Sequence, residues 1–305
     1  MGEFLHGKVV AVTGAGRGIG RAVALACAAE GARVVVNDYG VGIEGGDPTS
    51  EVADGVVKEI QAAGGEAVAV ADDVSTMAGG ERVVRVAVDT WGRLDGAVCV
   101  AGILRERMLF NMSEEEWDPV LATHLKGTFT VFRAASALMR RQNGGRLVGF
   151  TSGNHTGSVS QANYSAAKGG IISLVRSAAL GLHKYGVTAN CVAPVARTRM
   201  SANVPMELKE IGEPEDVAAL VVYLLSEQAA ALFYGRLFEI APSVKPLFKG
   251  DMTEQGRKLM ATLAVVVNGL TNLETILPAA SALAKRHVGY GVKPIHYPIV
   301  SEALL

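Results

Sequence analysis

The sequence predicts an α/β fold, a doubly wound parallel sheet followed by a mostly helical C-terminal appendage. Three observations carry this. Short apolar runs rich in β-branched residues alternate with helical stretches through the first three quarters of the chain. A glycine-rich turn joins the first such run to the first helix. The alternation stops after about residue 227, where the composition shifts. The expected division is therefore a sheet domain over 1–228 and a separate segment over 229–305.

Residues 8–13 are a continuous apolar run, as suits a strand covered on both faces. After the glycine turn, 21–30 reads as a helix and 32–37 as a second buried strand. Residues 40–48 hold four glycines and a proline and read as a loop. A helix over 51–63 leads to a third strand over 67–71, then a helix over 80–91. Residues 96–100 are a fourth strand, and 114–141 a long helical region with Pro119 near its start. A fifth strand over 146–150, a helix over 164–185 and a sixth strand over 188–192 follow. A helix over 214–225 opens with Pro214 in its first turn.

Composition narrows the function. The 305 residues carry a net charge of −1, so no global basic field attracts nucleic acid. Cys27, Cys99 and Cys191 lie far apart in apolar stretches. They are expected to be buried core residues, neither disulfide-bonded nor zinc-binding. The N-terminus lacks an apolar core of signal-peptide length, and no apolar run reaches the ~18 residues needed to span a bilayer. The chain reads as a soluble, cytoplasmic protein acting on a small-molecule substrate.

The turn Thr13-Gly14-Ala15-Gly16-Arg17-Gly18-Ile19-Gly20 lies between a strand and a helix. Its glycines let a pyrophosphate approach the helix N-terminus, where free N–H groups and the helix dipole hold it. No Gly-Lys-Ser/Thr follows, which argues against a mononucleotide phosphate loop. Asp38 ends the second strand, eighteen residues after Gly20. A carboxylate there can accept from both ribose hydroxyls of NAD and repel the extra phosphate of NADP. Arg17 partly offsets this preference, and NAD is favoured over NADP. Asp73, at the end of the third strand, either hydrogen-bonds the adenine or caps the turn.

Tyr164 and Lys168 are four apart, on one face of a helix. A nearby ammonium stabilises phenolate, and is expected to lower the tyrosine pKa towards neutrality and create a general acid/base. Ser152 stands twelve residues upstream at the end of a strand, where its hydroxyl can donate to a developing alkoxide. Thr151 is the neighbouring alternative.

Taken together, residues 7–227 resemble the short-chain dehydrogenase/reductase family. The resemblance rests on the 14–20 turn, Ala101-Gly102, Ser152, Tyr164, Lys168, and Pro194 with Thr198 on the nicotinamide side. It implies a Rossmann-type fold, a catalytic Ser152–Tyr164–Lys168 set, and cofactor contacts from Gly14, Arg17, Gly18, Ile19, Gly20, Asp38, Asp73, Val74, Ala101, Gly102, Pro194 and Thr198. It also implies a homodimer or homotetramer built on the helices near 114–141 and 164–185. The segments 35–40, 101–105, 124–127 and 161–168 resemble the (3R)-hydroxyacyl-CoA dehydrogenase branch, which implies hydride transfer at C3 of a β-hydroxyacyl thioester. Three features depart from the family. His124 stands where asparagine is common, and counts as a fourth catalytic residue or a buried helix histidine. Cys99-Val100 replaces a pair of asparagines, and the loop between Ser152 and Tyr164 is one residue short.

Residues 232–305 resemble the bacterial haemoglobin and flavohaemoglobin globins, through 233–238, 246–248, 285–287 and 296–298. The resemblance implies Tyr234 and Gln255 in a distal pocket, Phe248 against haem, and His287 as the iron ligand with Tyr297 beside it. The globin pattern lacks its first helix and ends within the penultimate one. About 75 residues do not easily enclose a haem without the last helix. Residues 235–241 also fit a seventh strand of the preceding sheet.

Overall fold

The computed structural model describes residues 2–201 and 211–227. The chain divides into two compact units, Met1–Ser226 and Glu227–Leu305. Beyond Glu227 the second unit lies outside the described residues, as do the readings placed on it: the strand over 235–241, the haem-side residues, and His287.

In the first unit, strands and helices alternate as β1 (Val9–Thr13), α1 (Gly18–Ala29), β2 (Arg33–Asn37), α2 (Glu51–Ala62), β3 (Glu66–Val70), α3 (Met77–Trp91) and β4 (Gly96–Cys99). Then come α4 (Glu114–Leu121), a π-helical turn (Ala122–Lys126), α5 (Gly127–Gln142), β5 (Gly145–Phe150), α6 (Ala162–Leu182), β6 (Val187–Val192) and α7 (Pro214–Leu225). The six strands are parallel, in the order β3-β2-β1-β4-β5-β6. The doubly wound α/β prediction holds, and all six strands fall within a residue or so of their expected bounds.

Strand alternation sorts the core into two layers. Val10, Val12, Val34 and Val36 pack with α1, α2 and α7 on one face. Val9, Ala11 and Val35 pack with α3, α5 and α6 on the other. The helix after β1 covers one face and the helices after β4 the other, though β1 and β4 are neighbours. Their C-terminal ends therefore open a crevice at the point where the strand order reverses.

The long helical region expected over 114–141 is continuous, but a π turn divides it into two α-helical parts. Ser113 and Glu116 form a capping box at the start of α4. Pro119 then has no N–H for the Glu115 carbonyl one turn back. That carbonyl accepts from Arg105 Nη1 at 2.6 Å instead. The π turn follows at once and carries His124. Cys27 and Cys99 are buried, and burial pushes both thiols up to about 12. Cys191, expected in the core, is only partly buried, because β6 is the outer strand of the described sheet. Among the described residues no helix is long and apolar enough to cross a membrane, and no cluster of His, Cys, Asp or Glu suits a metal.

Candidate active site

At the crevice, Gly14 adopts φ +64, and a Cβ there would stand 2.7 Å from the Ala101 main chain. Only glycine lets the β1–α1 turn pass so close to the end of β4. A groove of about 470 Å³ opens here. Its walls include Gly14, Arg17, Gly18, Ile19, Gly20, Asp38, Asp73, Val74, Ala101, Gly102 and Thr198, so eleven of the twelve expected cofactor contacts converge. The twelfth, Pro194, lies in the loop after β6 and does not line this groove.

Asp38 is fixed at both oxygens. Oδ2 accepts from the Gly16 N–H at 2.8 Å and Oδ1 from the Gly40 N–H at 2.7 Å. It thereby couples the phosphate-side turn to the loop after β2. The Asp73 carboxylate accepts from the Ser75 N–H at 2.9 Å and hydroxyl at 2.8 Å, which is the turn-capping alternative raised for it. Arg17 Nη1 donates to the Val41 carbonyl at 3.0 Å.

The catalytic candidates gather at the end of β5. Thr151 is excluded as the working hydroxyl, because its Oγ1 donates to the Lys168 carbonyl at 2.9 Å. Ser152 is partly exposed, interacts with the Tyr164 phenol, and accepts from the Asn154 N–H at 3.2 Å. Lys168 is buried, and its Nζ donates to the Phe150 carbonyl at 2.7 Å while lying 5.4 Å from the Tyr164 ring centroid. His155, in the intervening loop, is exposed.

One expectation is corrected. Lys168 does not lower the Tyr164 pKa in this arrangement. Burial raises it, opposed only in part by Ser152. The reason is geometric: the ammonium is turned to the Phe150 carbonyl, and desolvation of the phenol dominates. Burial also draws Lys168 itself down to about 8.

His124 is buried, with its ring edge-on to Tyr164 at 5.1 Å. Its Nε2 lies 2.8 Å from the Ile103 carbonyl and 3.2 Å from the Ile103 N–H, and its Nδ1 has no protein partner. Burial and the Lys168 charge lower its pKa to about 3, so the ring is neutral across the ordinary range. Gly102 makes room for it, because a Cβ there would overlap the ring. Gly102 thus joins the groove to the catalytic cluster.

Three contributors have no role assigned to them from the sequence. Asn163 is buried, and its Nδ2 donates to the carbonyls of Arg105 at 2.9 Å and Glu116 at 2.7 Å, tying the start of α6 to the β4–α4 loop beside Tyr164. Arg105 and Arg199 both line the groove. Asn163 adjoins Tyr164 in sequence, which is the signal that could have drawn attention to it. Arg105 closes the 101–105 segment, and Arg199 stands in a loop with no motif spacing.

Residues 8–209 match the family model for short chain dehydrogenases. The chain belongs to the short-chain dehydrogenase family. That membership makes it an oxidoreductase with a nicotinamide dinucleotide cofactor and a small-molecule substrate. Residues 231–305 match the globin family model. Among short-chain dehydrogenase relatives, the chain is 46% identical over 236 residues to mouse peroxisomal multifunctional enzyme type 2, covering 77% of this chain and 31% of that protein. It is 45% identical over 250 residues to a hydroxyacyl-CoA dehydrogenase of Mycobacterium tuberculosis, covering 77% of each. The crystal structure of a short chain dehydrogenase from Mycobacterium avium superposes with a TM-score of 0.67 at 50% identity, over 74% of this chain and 80% of that one. The chain spans less than a third of the mouse enzyme's length.

Proposed function

We propose that the first unit oxidises a 3-hydroxyacyl-CoA, or reduces the matching 3-ketoacyl-CoA, with NAD as cofactor. The observation that carries this is the cluster of Ser152, Tyr164 and Lys168, linked through His124 and Gly102 to a groove that the Asp38 carboxylate also lines. The dinucleotide, when bound, supplies or accepts the hydride. Tyr164 Oη removes the substrate hydroxyl proton in oxidation and returns it in reduction. The Ser152 hydroxyl donates to the same substrate oxygen and stabilises its developing charge. Lys168 holds positive charge beneath the phenol ring. Buried His124 orients the Ile103 main chain at the groove floor. NAD is the cofactor of choice because Asp38 can accept from ribose hydroxyls and disfavours a 2′-phosphate.

The acyl-CoA class is supported by the hydroxyacyl-CoA dehydrogenase among the relatives. A carrier-protein thioester is the competing substrate, since a 3-oxoacyl-[acyl-carrier-protein] reductase of Synechocystis is 40% identical over 245 residues. Turnover of NAD with 3-hydroxyacyl-CoA, followed by the absorbance of the reduced nicotinamide, tests the reading. Tyr164→Phe should lose turnover by at least about a thousandfold while keeping dinucleotide affinity, the phenol proton being indispensable. A variant that still turns over well sinks the mechanism. Assembly as a homodimer or homotetramer belongs to the same reading, supported by the exposed Phe129 and Leu180 on α5 and α6. A second reading, haem held by His287, rests on the globin match alone. Haem addition should then give a Soret band that His287→Ala abolishes.

A further inference from the structure

The loop after β2 lies against the loop after β4. The Leu104 N–H donates to the Ile43 carbonyl at 2.9 Å, and Arg105 Nε donates to the Glu44 carbonyl at 2.9 Å. Gly45 lets the two loops close, since it adopts φ +94 and a Cβ there would stand 3.2 Å from Ile103 Cδ1. Val41, Gly45, Ile103 and Arg105 all line the groove.

The same guanidinium has a second contact. Its Nη1 donates at 2.6 Å to the Glu115 carbonyl, which Pro119 leaves without a helical donor. From there α4 runs into the π turn, where His124 stands edge-on to Tyr164. The Arg105 carbonyl accepts from Asn163 Nδ2 at 2.9 Å, and Asn163 Oδ1 accepts from the Tyr164 N–H at 2.7 Å. A polar path therefore runs from Glu44, on the groove side, to Tyr164. Neighbouring acids have other partners: Glu116 bonds Arg107, Glu106 bonds Gln161, and Asp73 bonds Ser75. The Arg105 fork is thus given to two main-chain carbonyls.

We propose that Arg105 is a positioning residue for hydride transfer. Its fork fixes the 40–46 loop and the start of α4 together, so one side chain sets both the seat of the dinucleotide and the seat of Tyr164. The inference rests on the reading that this groove holds a dinucleotide. Arginine suits the task because a planar guanidinium offers separate N–H donors in fixed directions. An ammonium is a single point of charge on a flexible stem, and does not hold two carbonyls on different segments in the same way.

Two variants test this. Arg105→Met keeps the stem and drops both bonds, while Arg105→Lys keeps the charge. In the dinucleotide-free protein, Arg105→Met should exchange amide hydrogens at least about tenfold faster over 40–46, at Leu104 and over 161–165, with β1 and β4 unchanged. With NAD and a 3-hydroxyacyl-CoA, it should raise KM for NAD about tenfold and also lower kcat at saturating NAD about tenfold, as misplaced reacting groups do. Arg105→Lys should recover at most one of the two losses. A raised KM with kcat unchanged, or full recovery by lysine, overturns the shared role. Exchange unchanged over 40–46, or faster throughout the sheet, overturns it equally. A wild type that turns over no NAD refutes the proposed reaction, and the exchange pattern then judges Arg105 by itself.

Discussion

Asp38→Ala separates the two tasks given to one carboxylate. In the structure the side chain accepts from Gly16 N–H at 2.8 Å and Gly40 N–H at 2.7 Å. A hydrogen bond to a charged group contributes about 1.5–3 kcal/mol. Because the site is partly open to water, the lower end applies, and losing both costs about 3 kcal/mol. For a unit of this size, 1 kcal/mol shifts Tm by about 2–4 °C, so a fall of about 6–12 °C is expected. The cofactor effect is independent. Losing the ribose acceptor should weaken NAD by about tenfold or more, each factor of ten being about 1.4 kcal/mol. Removing the negative charge beside Arg17 should at the same time help NADP. The assay is kcat/KM for both dinucleotides on one preparation, with a thermal scan beside it. Their ratio is insensitive to the fraction folded. An unchanged ratio refutes the ribose assignment, and an unchanged Tm refutes the tie between the two loops.

Three further outcomes are expected. Lys168 is held at about 8, below its ordinary 10.5, so its charge opposes folding below pH 8 and this cost fades as pH rises towards 10.5. Lys168→Met should therefore melt a few degrees above wild type at pH 7, with the gap closing by pH 10; a variant equally stable at both would contradict the buried-charge account. Gly102→Ala should destabilise by about 1–3 kcal/mol through overlap with the His124 ring. The double variant with His124→Ala should recover part of that loss in chemical denaturation, and strict additivity would mean the two do not touch. Since burial raises the Tyr164 pKa, alcohol oxidation should climb through the alkaline range and ketone reduction decline there. Parallel profiles for the two directions would remove Tyr164 as the proton carrier.

Much of the sheet was legible because buried parallel strands must be apolar on both faces. The run Val9-Val10-Ala11-Val12 admits few other structures, and it serves both core layers. The groove was legible because chain proximity creates it: turn 14–20 and Asp38 belong to adjacent parallel strands. What escaped depends on contacts between segments distant in sequence. The π turn after α4 shows this. Pro119 was visible, but whether the orphaned Glu115 carbonyl ends the helix or finds another donor depends on where Arg105 falls. The direction of the Tyr164 shift was misjudged for a similar reason. Four-residue spacing brings Lys168 near, but the Phe150 carbonyl decides where its charge points. Asn163 likewise looks like any polar helix-start residue until the loop it holds is in place.

The two bonds that join Lys168 to the end of β5 have a wider meaning. Thr151 grips its main chain, and the Phe150 carbonyl grips its ammonium. Both partners directly precede Ser152. Helix and strand are thus stitched together at the residue before and the one before that, so the spacing of serine, tyrosine and lysine is inherited from tertiary registry and not from loop geometry. The short loop between Ser152 and Tyr164 can then change length without moving the chemistry. Conversely, anything that loosens α6 from β5 should silence the enzyme before the rest of the sheet comes apart, making loss of activity an early reporter of local unfolding.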